Sequence, residues 1–379
     1  MDLRLGDGTR RGALRTRVRP RSRLASALAL ALGALLPEGA AAHGLVQEGP
    51  PTAATLLFGW TFEPAVVVPL LASAVAWRWA VRRVNAAHPA NPVPAARSAA
   101  FYGALAAIAV ALASGIERYD TTLFSIHMVQ HLLLTMVAAP LVVLAAPITL
   151  ALRLASLATR QRRILPILHS RVVRALSFPV VAWLLFAAVM WGTHFSPVFD
   201  RALEDPLVHD LEHVAYLLAG VLFWWPAIGL DPSPWQMSHP VRLMYVFLQM
   251  PQNTFLAVVI LNATQPLYPH YATLVRGWGP SPLIDQQIAA GIMWLFGDLA
   301  FLAAILGLLL AWMRHEERVT ARDDRRADVA MAAIHERETR LADRLADDRA
   351  AGDEPLASGG SGSGRRGTRD SGRRRRSHR

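Results

Sequence analysis

The stretch LFSIHMVQHLLLTMVAAPLVVLAAPITL, residues 123–150, decides the fold class that the sequence predicts. It is apolar, and it exceeds the roughly 20 residues that a helix needs to cross a bilayer. Two histidines, His127 and His131, lie near its amino end. An ionisable side chain inside a span is costly, so it is usually retained for a function. The stretch therefore predicts a membrane helix that carries a functional site.

Similar apolar runs recur along the chain, which is 53% hydrophobic over its 379 residues. Because a soluble protein would not repeat runs of span length, we predict an all-α polytopic membrane bundle with seven transmembrane helices. The predicted spans are residues 60–80, 98–114, 123–150, 176–191, 207–228, 243–261 and 284–313.

The two ends of the chain differ from the predicted spans in composition. Residues 1–42 join an Arg-rich start to an apolar run and a small-residue ending, which is typical of a cleaved signal peptide; an uncleaved anchor is the alternative. We then predict an extracytoplasmic segment at 43–59 and a transmembrane domain at 60–313. Residues 314–379 are predicted to form a charged, largely disordered tail, in which 316–349 are a solvated helix or a frayed coil.

The distribution of arginine predicts the orientation. Every basic residue is Arg, and the net charge is +11. The loops after the first and third predicted spans are rich in arginine, whereas the opposite loops carry one each: Arg118, Arg201 and Arg276. The positive-inside rule then puts the N-terminus outside and the C-terminus in the cytoplasm. Since the charge follows membrane topology, it does not indicate binding to nucleic acid.

Five histidines in three predicted spans form the candidate site: His127, His131, His194, His209 and His213. Two pairs are spaced i,i+4, which places both rings on one helix face and lets them converge on one ion. The predicted topology brings all five to the outer side of the membrane. Imidazole is the commonest protein ligand for transition metals, so the pattern predicts a metal site. For any single histidine, a helix cap or an interhelical hydrogen bond is the competing interpretation.

Copper is the metal that we favour. The chain has no Cys, so the available ligands are His, Met and carboxylate, and copper heads the affinity order for imidazole. We predict Cu(I) at the histidines with Met128 as a soft auxiliary ligand. Glu212 and Asp285 are predicted to support the ligands without binding the ion, although Asp285 is also a favourable partner for a helix dipole. Zinc fits the same spacing, whereas haem fits the close pairs less well.

Other polar residues lie in the last two predicted spans. Gln249, Gln252 and Asn253 surround Pro251, which predicts a kinked helix with a polar stripe. The stripe forms either interhelical hydrogen bonds or one wall of a metal path. Asp298 is predicted to pair with a polar group on another span or to be protonated. The run 223–226, FWWP, is predicted to lie in the cytoplasmic interface belt.

These segments resemble the CtaG-type cytochrome c oxidase assembly factors, a family of polytopic bacterial membrane proteins. The resemblance covers roughly residues 55–315 and depends on SIHMVQH (125–131), the AP turns at 139–140 and 146–147, HDLEH (209–213), FWWP (223–226) and DQQ (285–287). It implies a role in the maturation of a haem–copper oxidase, with copper delivered to the catalytic subunit. The oxidase subunits and the lipid bilayer are the implied partners.

Two other classes of function stay open, a transporter of copper or another small solute and a metal-free assembly scaffold. An enzyme is the least favoured class, because no nucleotide loop, nucleophile–base pair or dinucleotide fingerprint occurs at a credible position. The absence of Cys separates the chain from the single-span copper chaperone that shares the CtaG name.

Overall fold

The computed structural model describes residues 47 and 49–352. The predicted signal peptide, residues 1–42, and the tail beyond residue 352 lie outside the described residues. The described residues contain helices and no β-strand. The prediction of an all-α protein is therefore confirmed.

Six of the described helices are long and apolar enough to cross a membrane, and a pair bent by 67° raises the number to seven. We name these helices spans 1–7 in chain order. They are Pro64–Ala87, Ala95–Tyr119, Phe124–Leu154, the bent pair Pro179–His194 and Val198–Glu204, Pro206–Ile228, His239–Leu261, and the helix that begins at Pro282. The prediction of a polytopic membrane bundle is confirmed.

Several spans are divided into shorter helices. The segments are Ala95–Ala113 and Gly115–Tyr119 in span 2, Phe124–Leu132, a π-helical turn Leu133–Ala138, Ala139–Ala145 and Pro147–Leu154 in span 3, and His239–Phe247 and Gln249–Leu261 in span 6. The remaining helices are Ala53–Phe58, Leu157–Thr159, the π-helical Arg160–Ile164, Leu165–Leu168, Arg171–Leu176 and Pro269–Thr273.

The breaks follow from local sequence. Ser114 ends the first helix of span 2, and its hydroxyl accepts a hydrogen bond from the Ile116 amide at 3.2 Å. In span 3, Ala146 adopts a left-handed conformation with φ of 55° directly before Pro147. The break in span 6 lies just before Pro251, which has no amide proton to donate to the preceding turn. Each break thus occurs where the backbone ladder cannot continue.

Spans 3 and 5 pack closely in the part of each helix that follows its histidines. A Cβ atom built on Gly220 would lie 2.9 Å from the Cβ of Ala139, so only glycine permits this approach. Next to it, the indole N–H of Trp224 donates to the Thr135 carbonyl at 2.9 Å, within the π-helical turn. Phe223 and Trp224 are buried in the core. Both rings therefore pack inside the bundle, and the position of the run at the cytoplasmic interface stays a prediction.

The described residues from Met313 onward belong to a second unit. They are part of the helix Pro282–Gly352, and their side chains are almost all exposed. Residues 314–352 are therefore helical, which agrees with the solvated helix that was one of the two alternatives for 316–349; the disordered end that we predicted lies outside the described residues. Their Ala, Arg and Glu content favours helix, and pairs such as Arg340 with Glu336, 2.5 Å apart at i,i+4, add to it.

Candidate metal centre

The first turn of span 3 is held by a carboxylate from span 7. Asp285 accepts a hydrogen bond from the Phe124 amide at 2.7 Å and another from the Ser125 hydroxyl at 2.6 Å. This contact fixes the start of the helix that presents His127 and His131. Both rings are buried, and their centroids lie 4.2 Å apart. The i,i+4 spacing thus places two imidazoles side by side in the protein interior.

Span 5 presents the second pair in the same way. The Asp205 side chain caps its first turn by accepting from the Leu207 amide at 2.9 Å. The rings of His209 and His213 are buried, with centroids 4.2 Å apart. Span 5 therefore offers a second pair of imidazoles on one face.

The two pairs face each other across the contact between spans 3 and 5. The ring centroids are 5.6 Å apart for His127 and His209, and 6.0 Å apart for His131 and His213. Four imidazoles from two helices therefore form a single layer inside the bundle. We refer to these four residues as the histidine cluster.

Two carboxylates enter this layer. The Oε2 atom of Glu212 lies 3.8 Å from Nε2 of His127 and 3.9 Å from Nε2 of His131. The Oδ2 atom of Asp120, in the loop between spans 2 and 3, lies 3.3 Å from Nε2 of His209. Each pair of histidines thus has a carboxylate oxygen beside it.

The donor atoms divide into two groups that could each hold a metal ion. In one group the ligand atoms come from His127, His131 and Glu212; in the other they come from Asp120, His209 and His213. Within each group the atoms lie within 4.8 Å of one another, and all six residues are buried. An ion with bonds of about 2.0–2.2 Å would draw such atoms together with small side-chain movements.

The first group is short of hydrogen bonds. Within the described part of the chain, both ring nitrogens of His127 and His131 and both carboxylate oxygens of Glu212 are buried without a hydrogen-bond partner. A buried polar atom left unsatisfied costs about 1–3 kcal/mol. Neutral imidazole nitrogens and a carboxylate are good ligands for a transition metal, so the donor set fits an ion.

A network of hydrogen bonds holds the ring of His213. The amide nitrogen of Gln130 donates to Glu117 at 2.5 Å and to the Ala111 carbonyl at 3.0 Å. The amide oxygen of Gln130 therefore faces Nε2 of His213, 3.0 Å away, and accepts its proton. This hydrogen bond holds the His213 ring in place and assigns its proton to Nε2.

The other residues predicted for the site lie around the histidine cluster. His194 belongs to neither group; its Nδ1 donates to the Met190 carbonyl at 2.7 Å, and its ring packs against Phe199 at 5.6 Å. Met128 is buried in an apolar cluster with Phe124 and Phe199. Asp285 accepts hydrogen bonds from the first turn of span 3, before His127, as described above. Glu212, predicted only to support the ligands, lies among them.

Sequence reasoning missed Asp120, Glu117, Gln130 and the loop that covers them. The phenol of Tyr271 donates to the Asp120 carbonyl at 2.6 Å, and the His270 ring donates to the Thr121 carbonyl at 2.9 Å. Burial, and after it the charge of Asp120, raises the pKa of the Tyr271 phenol well above its usual value, so it remains a donor. The two acidic residues at 117 and 120, directly before the histidine-bearing span, were the available signal.

The fold and this site define a polytopic helical membrane protein with a buried histidine–carboxylate centre. A family model described as cytochrome c oxidase caa3 assembly factor (Caa3_CtaG) matches residues 75–315. The chain belongs to this family. The matched region contains all six residues of the two ligand groups.

Mycobacterial proteins are similar over most of the chain. Uncharacterized proteins of Mycobacterium bovis and Mycobacterium tuberculosis are each 32% identical over 289 residues, which is 74% of this chain and 43% of theirs. An uncharacterized protein of Mycobacterium leprae is 29% identical over 290 residues, 75% of this chain and 44% of its own. The chain thus spans less than half the length of the curated relatives it matches. No solved structure matches the chain.

Proposed function

We propose that the protein assists the assembly of a cytochrome c oxidase by binding copper at the histidine cluster and passing it to an oxidase subunit. The observation that carries the proposal is the layer of four buried imidazoles between spans 3 and 5, of which His127 and His131 have no hydrogen-bond partner among the described residues. Because the chain belongs to an oxidase assembly family, we propose an oxidase as the protein that receives the copper. Copper is the cargo here, and no covalent catalysis is required.

The proposed location is a bacterial plasma membrane, with the N-terminus outside and the C-terminus in the cytoplasm. The distribution of arginine between the loops supports this orientation. It puts the histidine cluster at the extracytoplasmic end of the bundle, near the starts of spans 3 and 5. Copper bound there would reach the oxidase by ligand exchange between two membrane proteins.

The test begins with the copper content of detergent-purified protein. A His127→Ala, His131→Ala double variant is expected to lose bound copper while its elution in size-exclusion chromatography stays unchanged. The matched control is His169→Ala with His335→Ala, two exposed histidines away from the site, which should bind as much copper as wild type. Normal copper stoichiometry in the first double variant would refute the assignment.

Delivery needs a second experiment in cells. A strain without the protein should assemble a copper-poor haem–copper oxidase, and the wild-type chain should restore its copper content. The double variant at 127 and 131 should fail to restore it, whereas the control double variant should succeed. Full restoration by both would favour a metal-free scaffold.

Transport is the competing function, and the contacts of spans 6 and 7 do not favour it. Asp298 accepts hydrogen bonds from the Asn253 amide at 3.1 Å and the Thr254 hydroxyl at 2.7 Å. The predicted pairing of Asp298 with another span is thus confirmed, and these groups tie the helices together. Copper flux into proteoliposomes would support a transporter, whereas binding without flux supports delivery.

A further inference from the structure

The histidine cluster has more donors than one ion uses. Four imidazoles and two carboxylates lie in the layer between spans 3 and 5. A structural or transferring metal site commonly uses three or four protein ligands. The number of donors therefore raises the question of how many ions the layer holds.

We infer that each chain holds two divalent metal ions, one bound by His127, His131 and Glu212 and one bound by Asp120, His209 and His213. The inference depends on the proposed function, which it deepens by giving the number and chemical class of the ions. The two groups have no residue in common, and each brings its own three ligand atoms within 4.8 Å.

The two ligand groups have the same composition. Each has an i,i+4 pair of histidines from one span and a carboxylate from another element. Glu212 of span 5 serves the span 3 pair, with its Oε2 3.8 and 3.9 Å from the two Nε2 atoms. Asp120 serves the span 5 pair, 3.3 Å from Nε2 of His209. Each site therefore joins two elements of the fold, and neither needs ligands from the other.

Hydrogen bonds outside the ligand groups support the second site. Gln130 and Glu117 hold His213 of the second group through Nε2. In the first group, the ring nitrogens of His127 and His131 and the oxygens of Glu212 are buried without a hydrogen-bond partner in the described residues. An ion in the first site would satisfy the nitrogens of His127 and His131 and an oxygen of Glu212 at once. The second site is built beside it, with its own outer hydrogen bonds.

The donor types indicate the charge of the ions. Cu(I) prefers the soft sulfur of Cys or Met, whereas carboxylate oxygen and imidazole suit Cu(II) and Zn(II). The donors of both groups are imidazole nitrogens and a carboxylate oxygen, and the chain has no Cys. Two histidines with one carboxylate is also a known zinc ligand set. The structure therefore points to divalent ions, in place of the Cu(I) that the sequence suggested.

The experiment counts ions in the full-length protein purified in detergent, loaded with Cu(II) and separately with Zn(II), and washed. Wild type is expected to hold two ions per chain with either metal. Glu212→Gln and Asp120→Asn are each expected to hold one. The matched control is Asp298→Asn, which removes a carboxylate of span 7 that accepts hydrogen bonds from span 6. This variant should still hold two ions per chain.

The outcomes separate this inference from the proposed function. One ion in wild type, lost in both carboxylate variants, means a single shared centre and overturns the inference while copper binding stands. No ion in wild type overturns both. Two Cu(II) ions without any Zn(II) keeps the two sites and overturns only the expectation that either metal fills them. If Asp120→Asn does not fold, His209→Ala tests the same site, and the wild-type count decides on its own.

Discussion

Asp285 offers a test of whether a buried carboxylate near the histidines is a structural partner or a ligand. It accepts hydrogen bonds from the Phe124 amide at 2.7 Å and the Ser125 hydroxyl at 2.6 Å, which joins span 7 to the first turn of span 3. It belongs to neither ligand group. We therefore expect Asp285→Ala to destabilise the fold and to leave the number of bound copper ions unchanged.

The magnitude follows from the donors that lose their acceptor. Asp285→Ala leaves two buried donors unsatisfied at about 1–3 kcal/mol each, so the free energy of unfolding should fall by about 2–6 kcal/mol. This exceeds the average of about 0.6 kcal/mol for one interhelical hydrogen bond in a membrane, so the loss is measurable. Asp285→Asn should lose about half as much, because its amide oxygen keeps one of the two bonds.

The assay pairs two measurements on the same purified protein. Unfolding in mixed detergent micelles gives the free energy, and elemental analysis gives the copper bound per chain. The control is Asp298→Asn, which removes a carboxylate elsewhere in span 7. Loss of copper from Asp285→Ala with an unchanged free energy of unfolding would refute the reasoning and make Asp285 a ligand.

Three further predictions follow from the contacts around the site. Gln130→Leu removes the acceptor for Nε2 of His213, and copper affinity measured by competition with a chelator should fall about 10–100-fold, the usual effect of losing such a support; an unchanged affinity would contradict the network. Gly220→Leu inserts a side chain where a Cβ would already lie 2.9 Å from Ala139, so spans 3 and 5 should separate and thermal stability should fall, whereas Gly192→Leu, at a glycine with open space, should be tolerated. Ligation needs neutral imidazole, and protons compete with the metal for its nitrogens, so copper should be retained at neutral pH and released as the pH is lowered; a copper content that does not change with pH down to the point where the protein unfolds would argue against histidine ligands.

The helices and the histidine faces were predictable because both depend on local sequence. Apolar runs of span length located the spans, most closely in the predicted 207–228 and the observed Pro206–Ile228. The i,i+4 spacing indicated that His127 and His131 share a face, which needs only the helical period. These features do not depend on how the spans pack.

The arrangement of the ligands was not predictable in the same way. Whether two spans turn their histidines toward each other depends on helix rotation, which is set by contacts such as Gly220 against Ala139. Asp120 lies in a loop, outside any helical period, and meets His209 from 89 residues earlier in the chain only through the tertiary fold. The packing of Met128 with Phe124 likewise depends on the tertiary fold, and the role of Met128 as an auxiliary ligand stays a prediction.

In the proposed role in copper delivery, the two carboxylates would affect how the centre releases an ion. A protein that delivers a metal must bind it firmly enough to exclude water and then release it to a partner. Glu212 and Asp120 come from elements other than the histidines they serve, so movement of span 5 or of the loop before span 3 would remove one ligand while two stay in place. An ion left with two imidazoles has open coordination positions for a ligand from the oxidase. The division of each ligand set between two elements thus supplies a physical route from tight binding to ligand exchange.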